Sequence, residues 1–284
     1  MSVKAVLLAL MALTASGCTQ LALKAVNNPL VLGGGYTTET RSYGTLASQT
    51  LDIYTPANQT HKNEIVMFIY GGRWEEGRKE DYRFVGAYFA QHGYTTVIPD
   101  YRKYPDIRFP VFVADVAQAA VWAGQNLRPQ QARTGPFIHL IGHSAGAHIG
   151  SLIVADERYV SQEGANVRNL FLDFVGLAGP YAFTPDEADL IDMFGPPARY
   201  AQMQATSFID GQEIPMLLAY GGRDDIVKAS NHQKLERVIK ESHGQVKSRG
   251  YPDLDHVGLI STFSKFGAKS TLPADTLEFF NRPE

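Results

Sequence analysis

The sequence predicts an α/β fold with a mostly parallel central sheet, helices on both faces and a small cap insertion. Three observations predict it. Short β-rich runs alternate with helical patterns along most of the chain. At least one run, Glu64 to Tyr70, is apolar throughout its middle, as a strand covered on both faces must be. A glycine-flanked serine, Gly142-His143-Ser144-Ala145-Gly146, stands between a strand pattern and a helix pattern. The 284 residues are 44% hydrophobic and 19% charged, which suits a packed domain and is too apolar for a disordered chain. A net charge of −3 gives no broad attraction to nucleic acid.

In chain order, Lys4 is followed by an apolar run from Ala5 to Leu13 and then by Thr14, Ala15, Ser16, Gly17 and Cys18. That run is about half of the ~20 residues a bilayer span needs. A basic start, a short apolar core and small residues at the end describe an export signal over residues 1–17. Ala15-Ser16-Gly17-Cys18 resembles a bacterial lipobox, which implies that Cys18 becomes the lipidated first residue of the mature chain. The resemblance implies a lipid anchor in a membrane rather than a span. With Thr19 after the cysteine, it further implies outer-membrane sorting, on the periplasmic side. Cys18 is the sole cysteine, so an internal disulfide and a thiolate zinc site are excluded. Residues 18–47 read as a tether and lead-in loop, broken at Gly33-Gly34-Gly35, and residues 48–284 as one folded domain.

Within that domain Thr50 to Tyr54 alternates and stops at Pro56, and Glu64 to Tyr70 is a buried strand. Tyr82 to His92 has helical spacing and Tyr94 to Pro99 reads as a strand. Val111 to Asn126 is helical, Phe137 to Gly142 is a strand, and Gly146 to Ala155 is a helix of small residues. Leu172 to Leu177 and Pro215 to Tyr220 are further strands. Val227 to Glu241 is an amphipathic helix, Gln245 to Tyr251 is the last strand, and Thr276 to Phe280 closes the chain near a helix. Residues 181–210 interrupt the alternation and read as a cap over one end of the sheet.

A serine on a sharp strand-to-helix turn is held in a strained conformation with its Oγ exposed, and the flanking glycines leave room for the turn. It also lies at the positive end of the following helix. Such a hydroxyl needs a base. Of the eight histidines, His143 adjoins Ser144 on an elbow whose neighbouring side chains point apart, His148 reads as a packing or surface residue, and His139 lies within a strand. His61, His92, His232 and His243 fall in loops or on polar helix faces. His256 follows the last strand and precedes a helix, where a chain ordered Ser, Asp, His places its base. The acid that orients it is Asp224 or Asp225, after the strand Pro215 to Tyr220. Backbone N–H donors for a developing oxyanion come from Ala145 and from the loop Gly71-Gly72-Arg73-Trp74, Gly72 first and Arg73 next.

Together these segments resemble the α/β-hydrolase superfamily and, within it, the esterase-lipase branch related to hormone-sensitive lipase, bacterial carboxylesterases and kynurenine formamidase. The family's His-Gly-Gly-x-Trp loop is here Tyr70-Gly71-Gly72-Arg73-Trp74, its Asp-Tyr-Arg string is Asp100-Tyr101-Arg102, and its Phe-Pro pair is Phe109-Pro110 with Asp115 following. Gly179-Pro180-Tyr181 and Phe194-Gly195-Pro196 look like its cap region. The resemblance implies an α/β-hydrolase fold and a Ser144, Asp224, His256 triad, Asp224 having the family's usual offset from Gly221. It also implies cleavage of short-to-medium carboxylic esters through an acyl-enzyme, with no metal or organic cofactor and a small-molecule ester as partner. Tyr70 stands where the family has histidine and either repositions the loop or offers its phenol to the substrate; Trp74 either walls the pocket or packs beneath the loop. Asp100, Arg102 and Asp115 read as structural. An amidase or arylformamidase on the same triad is the alternative, and a non-catalytic envelope lipoprotein on a hydrolase scaffold is the rival from another class.

Overall fold

The computed structural model describes residue 27 and residues 32–61, 64–128 and 135–282. The export segment and Cys18 lie outside the described residues. The strands are β1 (Tyr36–Ser42), β2 (Thr50–Pro56), β3 (Ile65–Ile69), β4 (Thr95–Pro99), β5 (Ile138–His143), β6 (Phe171–Leu177), β7 (Met216–Gly221) and β8 (Val246–Tyr251). They form one sheet in the order β1-β2-β4-β3-β5-β6-β7-β8. The β1–β2 and β2–β4 pairings are antiparallel and all others are parallel.

Every residue of β3, β4 and β5 is buried. Successive side chains of a strand point to opposite faces, so both faces of the sheet are covered at its centre. The longer helices between strands are α1 (Arg83–Gln91), α2 (Val111–Asn126), α3 (Ala145–Ala155), α4 (Ala188–Phe194) and α5 (Ser230–Glu241), and α6 (His256–Ser261) and α7 (Leu272–Phe280) follow β8. Helix α3 is buried along its whole length, which its small residues permit.

Strand β1 corrects the reading of residues 18–47 as tether alone. Tyr36–Ser42 pairs with β2 along its full length, from Tyr36 opposite Pro56 to Ser42 opposite Thr50. Its sequence, YTTETRS, is polar on both faces and exposed after Tyr36, so alternation gives no signal. Polar and charged residues on such an edge also discourage pairing with another chain. Helix α5 begins at Ser230 rather than Val227, because the N–H groups of Ile226 and Val227 are turned onto the Asp224 carboxylate at 3.0 and 2.9 Å.

The order of strands fixes where a site can form. The chain passes from β3 to β4 on one side and then crosses back to β5 on the other. The carboxyl ends of β3 and β5 therefore flank the crevice where an open α/β sheet binds ligands. The segment 181–210 lies over this end. It consists of α4 with the tight 3₁₀ turns Pro197–Met203 and Ala205–Ser207. Phe109 N–H donates to the Met193 carbonyl at 3.0 Å, and His148 Nε2 donates to the Met203 carbonyl at 2.6 Å.

Candidate active site

Ser144 follows the last residue of β5 and caps α3, with φ 55° and ψ −122°. A non-glycine residue in that region is strained and persists because its surroundings over-determine it. The two flanking glycines do so by close approach. A Cβ on Gly142 would lie 2.4 Å from the Gly146 carbonyl oxygen, and one on Gly146 would lie 2.1 Å from that of Ile69. No other residue fits either position, so the elbow is locked between β3 and α3.

Asp224 and His256 are brought together by two loops laced by backbone bonds. Gly222 N–H donates to Tyr251 and Arg223 N–H to Leu254, so the chain after β7 runs against the chain after β8. Asp224 Oδ2 then accepts from His256 Nδ1 at 2.8 Å. Burial opposes ionisation of Asp224, but the His256 bond and charge and the N–H groups of Val227 and Ile226 outweigh it and hold the carboxyl below the usual range. A carboxylate only accepts, so Nδ1 carries the proton and a neutral His256 presents a bare Nε2. Asp225, the alternative, is exposed and makes no bond to His256.

Neither Ser144 Oγ nor His256 Nε2 hydrogen-bonds to another of the described residues. Contacts of this kind are often long without substrate and tighten when it binds. The two segments are nonetheless neighbours. His143, adjacent to Ser144, donates from Nε2 to the His256 main-chain carbonyl at 3.0 Å, with the two rings 4.8 Å apart. His143 is buried against the His256 segment, a contact that its place beside Ser144 does not suggest.

The loop after β3 runs against the elbow, since a Cβ on Gly71 would stand 2.9 Å from the Ser144 Cβ. Gly72 has φ 121°, and Arg73 and Trp74 have φ 54° and 62°. Glu75 and Glu76 N–H groups both donate to the Gly72 carbonyl, which turns that carbonyl into the loop. The main-chain N–H groups of Gly72, Arg73 and Ala145 have no partner among the described residues. They are free to receive an anionic oxygen. The Arg73 guanidinium crosses to the cap, where Nη2 meets Glu187 at 2.7 Å and Asp189 at 2.8 Å.

Tyr70 does not reach substrate, contrary to the expectation. It is fully buried, stacked between Tyr82 and Tyr101, and its hydroxyl donates to Asp100 at 2.6 Å. Burial, reinforced by the neighbouring Tyr101 and Asp100, raises its pKa far above the ordinary phenol value. The aromatic stack and Asp100 thus turn the side chain under the loop, leaving the loop's shape to the main chain. Asp100 also accepts from Lys79 N–H, and Asp115 takes a bidentate pair of bonds from Arg102, so both act in the framework.

Trp74 both walls the cleft and packs. It lines a cleft of about 370 Å³ together with Arg73, Ser144, Ala145, Phe183, Ile226 and Val227. Its ring stacks on Phe183 at 5.6 Å and meets Phe194 and His148 edge-on at 4.9 and 5.1 Å. His148 is fully buried, and burial pushes it down to about 4, so it packs as a neutral ring. His232, expected in a loop or on a polar face, is buried and stacked on Tyr220 at 3.7 Å. Helix α5 has few apolar residues, and His232 serves as one of them.

Comparison with known proteins places this geometry in context. The family model BD-FAE matches residues 51–171, from β2 through the elbow to the start of β6. Esterase LipC of Mycobacterium tuberculosis is 27% identical over 237 residues, covering 76% of this chain and 58% of its own length. Kynurenine formamidase of Salmo salar is 23% identical over 229 residues, covering 77% of this chain and 74% of its own. The crystal structure of Esterase B from Lactobacillus rhamnosis superposes with a TM-score of 0.77 at 21% identity, over 98% of this chain and 93% of that one. The fold is that of the α/β-hydrolases. Within it, the Ser144 elbow, the Asp224–His256 pair and the Gly72 loop occupy one end of the sheet.

Proposed function

We propose that the chain is a serine hydrolase that cleaves carboxylic esters through an acyl-enzyme. The observation that carries the reading is the strained Ser144 elbow beside a His256 whose Nδ1 is committed to Asp224. Ser144 Oγ attacks the ester carbonyl while His256 Nε2 takes its proton. The carbonyl oxygen, now anionic, is held by the N–H groups of Ala145 and Gly72, with that of Arg73 beside them. His256 returns the proton to the departing alcohol, and water, activated by the same base, releases the acid and restores Ser144. Asp224 fixes the tautomer and stabilises the imidazolium. No step needs a metal or an organic cofactor. A cleft of about 370 Å³ lined in part by the stacked rings of Trp74 and Phe183 supports esters of short-to-medium acyl length. The names of the esterase relatives and the neighbouring Esterase B structure support the ester class.

Replacing Ser144 with Ala is expected to lower kcat on p-nitrophenyl butyrate by about 10⁶-fold while the fold persists. A fluorophosphonate probe should label the native protein at Ser144; a native protein left unlabelled would favour the non-catalytic scaffold. The kynurenine formamidase relative favours a second reading, an amidase or arylformamidase on the same residues. Turnover of N-formylkynurenine faster than of any short ester decides for it.

The N-terminal segment adds a location. The reading is an exported lipoprotein with Cys18 acylated, held in the outer membrane on the periplasmic side. It is supported by the basic, apolar and small-residue order of residues 4–18. No helix among the described residues is long and apolar enough to cross a membrane. Cys18→Ser should move the protein from the membrane pellet to the soluble fraction; retention in the pellet rejects acylation at Cys18.

A further inference from the structure

Among the buried titratable groups that the proposed reaction leaves unused, His143 touches the machinery directly. We propose that His143 is a positioning residue for the base: its Nε2–H, donated to the main-chain carbonyl of His256 at 3.0 Å, fixes the start of α6 and with it the His256 imidazole. This rests on the reading of Ser144 and His256 given above. A carbonyl oxygen only accepts, so the proton of His143 is on Nε2 and Nδ1 is bare. That Nδ1 is buried without a partner among the described residues, and Gly71 of the loop after β3 passes beside it.

The need for such a bond follows from the local structure. Helix α6 has six residues and begins at His256, with Asp255 as its cap. So short a helix has little stability of its own. Val257, the next residue, is 40% exposed, so packing of that side chain does not hold the turn in place. His143, by contrast, belongs to a strand buried along its whole length and immediately precedes Ser144. One rigid strand end therefore carries Ser144 and the group that holds the base opposite it.

The charge state suits the task. The groups around His143 are the His256 ring, the Gly71 backbone and, beyond His256, Asp224. Burial pushes His143 down to about 3, and the charge of a protonated His256 pushes the same way. The ring is neutral, and the carbonyl acceptor keeps its single proton on Nε2. A neutral ring also adds no repulsion when His256 becomes an imidazolium during the reaction.

The test compares His143→Gln, which keeps an N–H donor, with His143→Met, which has comparable reach and none. The Met variant should lose about tenfold in kcat with KM little changed, as expected for one missing hydrogen bond, and the Gln variant should keep most of the wild-type kcat. Phosphonylation of Ser144 by the fluorophosphonate should slow in the Met variant by the same factor. Equal kcat and equal labelling rates in folded Gln and Met variants overturn the proposal and leave the hydrolase reading intact. A wild-type protein that neither turns over esters nor labels removes both. Independently of activity and of any variant, ¹⁵N NMR of the native protein should show His143 as a fixed Nε2–H tautomer from about pH 5 to about pH 9. A ring that titrates in that range, or carries its proton on Nδ1, also overturns it.

Discussion

Strand β5 carries two buried histidines, His139 and His143, on one face and about 13 Å apart at ~3.3 Å per residue. At the amino end, His139 Nδ1 lies 3.0 Å from both carboxylate oxygens of Asp173, Nε2 lies 3.5 Å from Glu64, and Phe280 stacks on the ring at 4.0 Å. Arg282 closes the cluster with a 2.7 Å bond to Asp173, tying the end of α7 beneath the sheet. Burial opposes the charge of His139, but Asp173 and Glu64 outweigh it and raise its pKa. At the carboxyl end, His143 has no carboxylate in contact and burial keeps it neutral. The same residue type on the same strand is a carboxylate-paired brace at one end and a neutral strut at the other. The neighbours on β6 and in the crossing loops decide which.

The largest expected effect lies at the carboxyl end. Asp224→Asn leaves the shape but presents an amide to His256 Nδ1, which favours the wrong tautomer. It should lower kcat by about 10⁴-fold with the melting temperature nearly unchanged. If activity survives, the two ends of β5 are alike in serving stability alone.

The amino end predicts the reverse pattern. Asp173 is fully buried and pairs with both His139 and Arg282. Asp173→Asn should cost about 3–5 kcal/mol in urea unfolding, the usual loss when one partner of a buried pair is removed, while kcat per folded molecule holds. The pH dependence carries a definite sign. A folded-state pKa raised above the unfolded value of ~6.5 means that the contribution of His139 is fully present below that value. It is lost as pH rises through the raised folded value. Unfolding free energy should therefore decline in the native protein as pH rises above ~6.5, and His139→Gln should flatten that decline. A decline of equal size in the variant would assign it to other groups.

The two ends also differ in how far the sequence reveals them. Ser144, Asp224 and His256 are legible because motif, chain order and strand ends all converge on them, and β3 is legible because it is an apolar run. The His139 cluster is not, because it joins positions 64, 139, 173 and 282, whose meeting depends on strand order and register rather than on any local pattern. Tyr70 fails for the same reason: its position in the loop motif suggests the cleft, while Tyr82, Tyr101 and Asp100 draw it inward. His143 is hidden by its neighbour, since a rule about adjacent side chains on an elbow says nothing of a loop that returns 113 residues later. Strand β1 lacks an apolar face and is recognisable only through its partner.

The smallest expected effect concerns what holds the loop after β3 in the conformation the proposed reaction needs. Arg73 and Trp74 both have positive φ, which L-residues adopt only under constraint. Trp74 is constrained by the aromatic packing around Phe183 and Phe194, and Arg73 by Glu187 and Asp189 at the start of α4. The Arg73 side chain is 41% exposed and its partners 61% and 36%, so the pairs are solvent-screened and each contributes less than about 1 kcal/mol. The double variant Glu187→Gln with Asp189→Asn should accordingly lower kcat by about fivefold and leave the urea midpoint almost unmoved. Raising salt from about 0.01 M to about 1 M should reproduce most of that loss in the native protein, because the screening length shrinks from ~30 Å to ~3 Å. The same salt change should leave the double variant unaffected. A native enzyme indifferent to salt would mean that aromatic packing alone fixes the loop, and the contrast between an ionic amino end and a neutral carboxyl end of β5 would then extend to the cap as well.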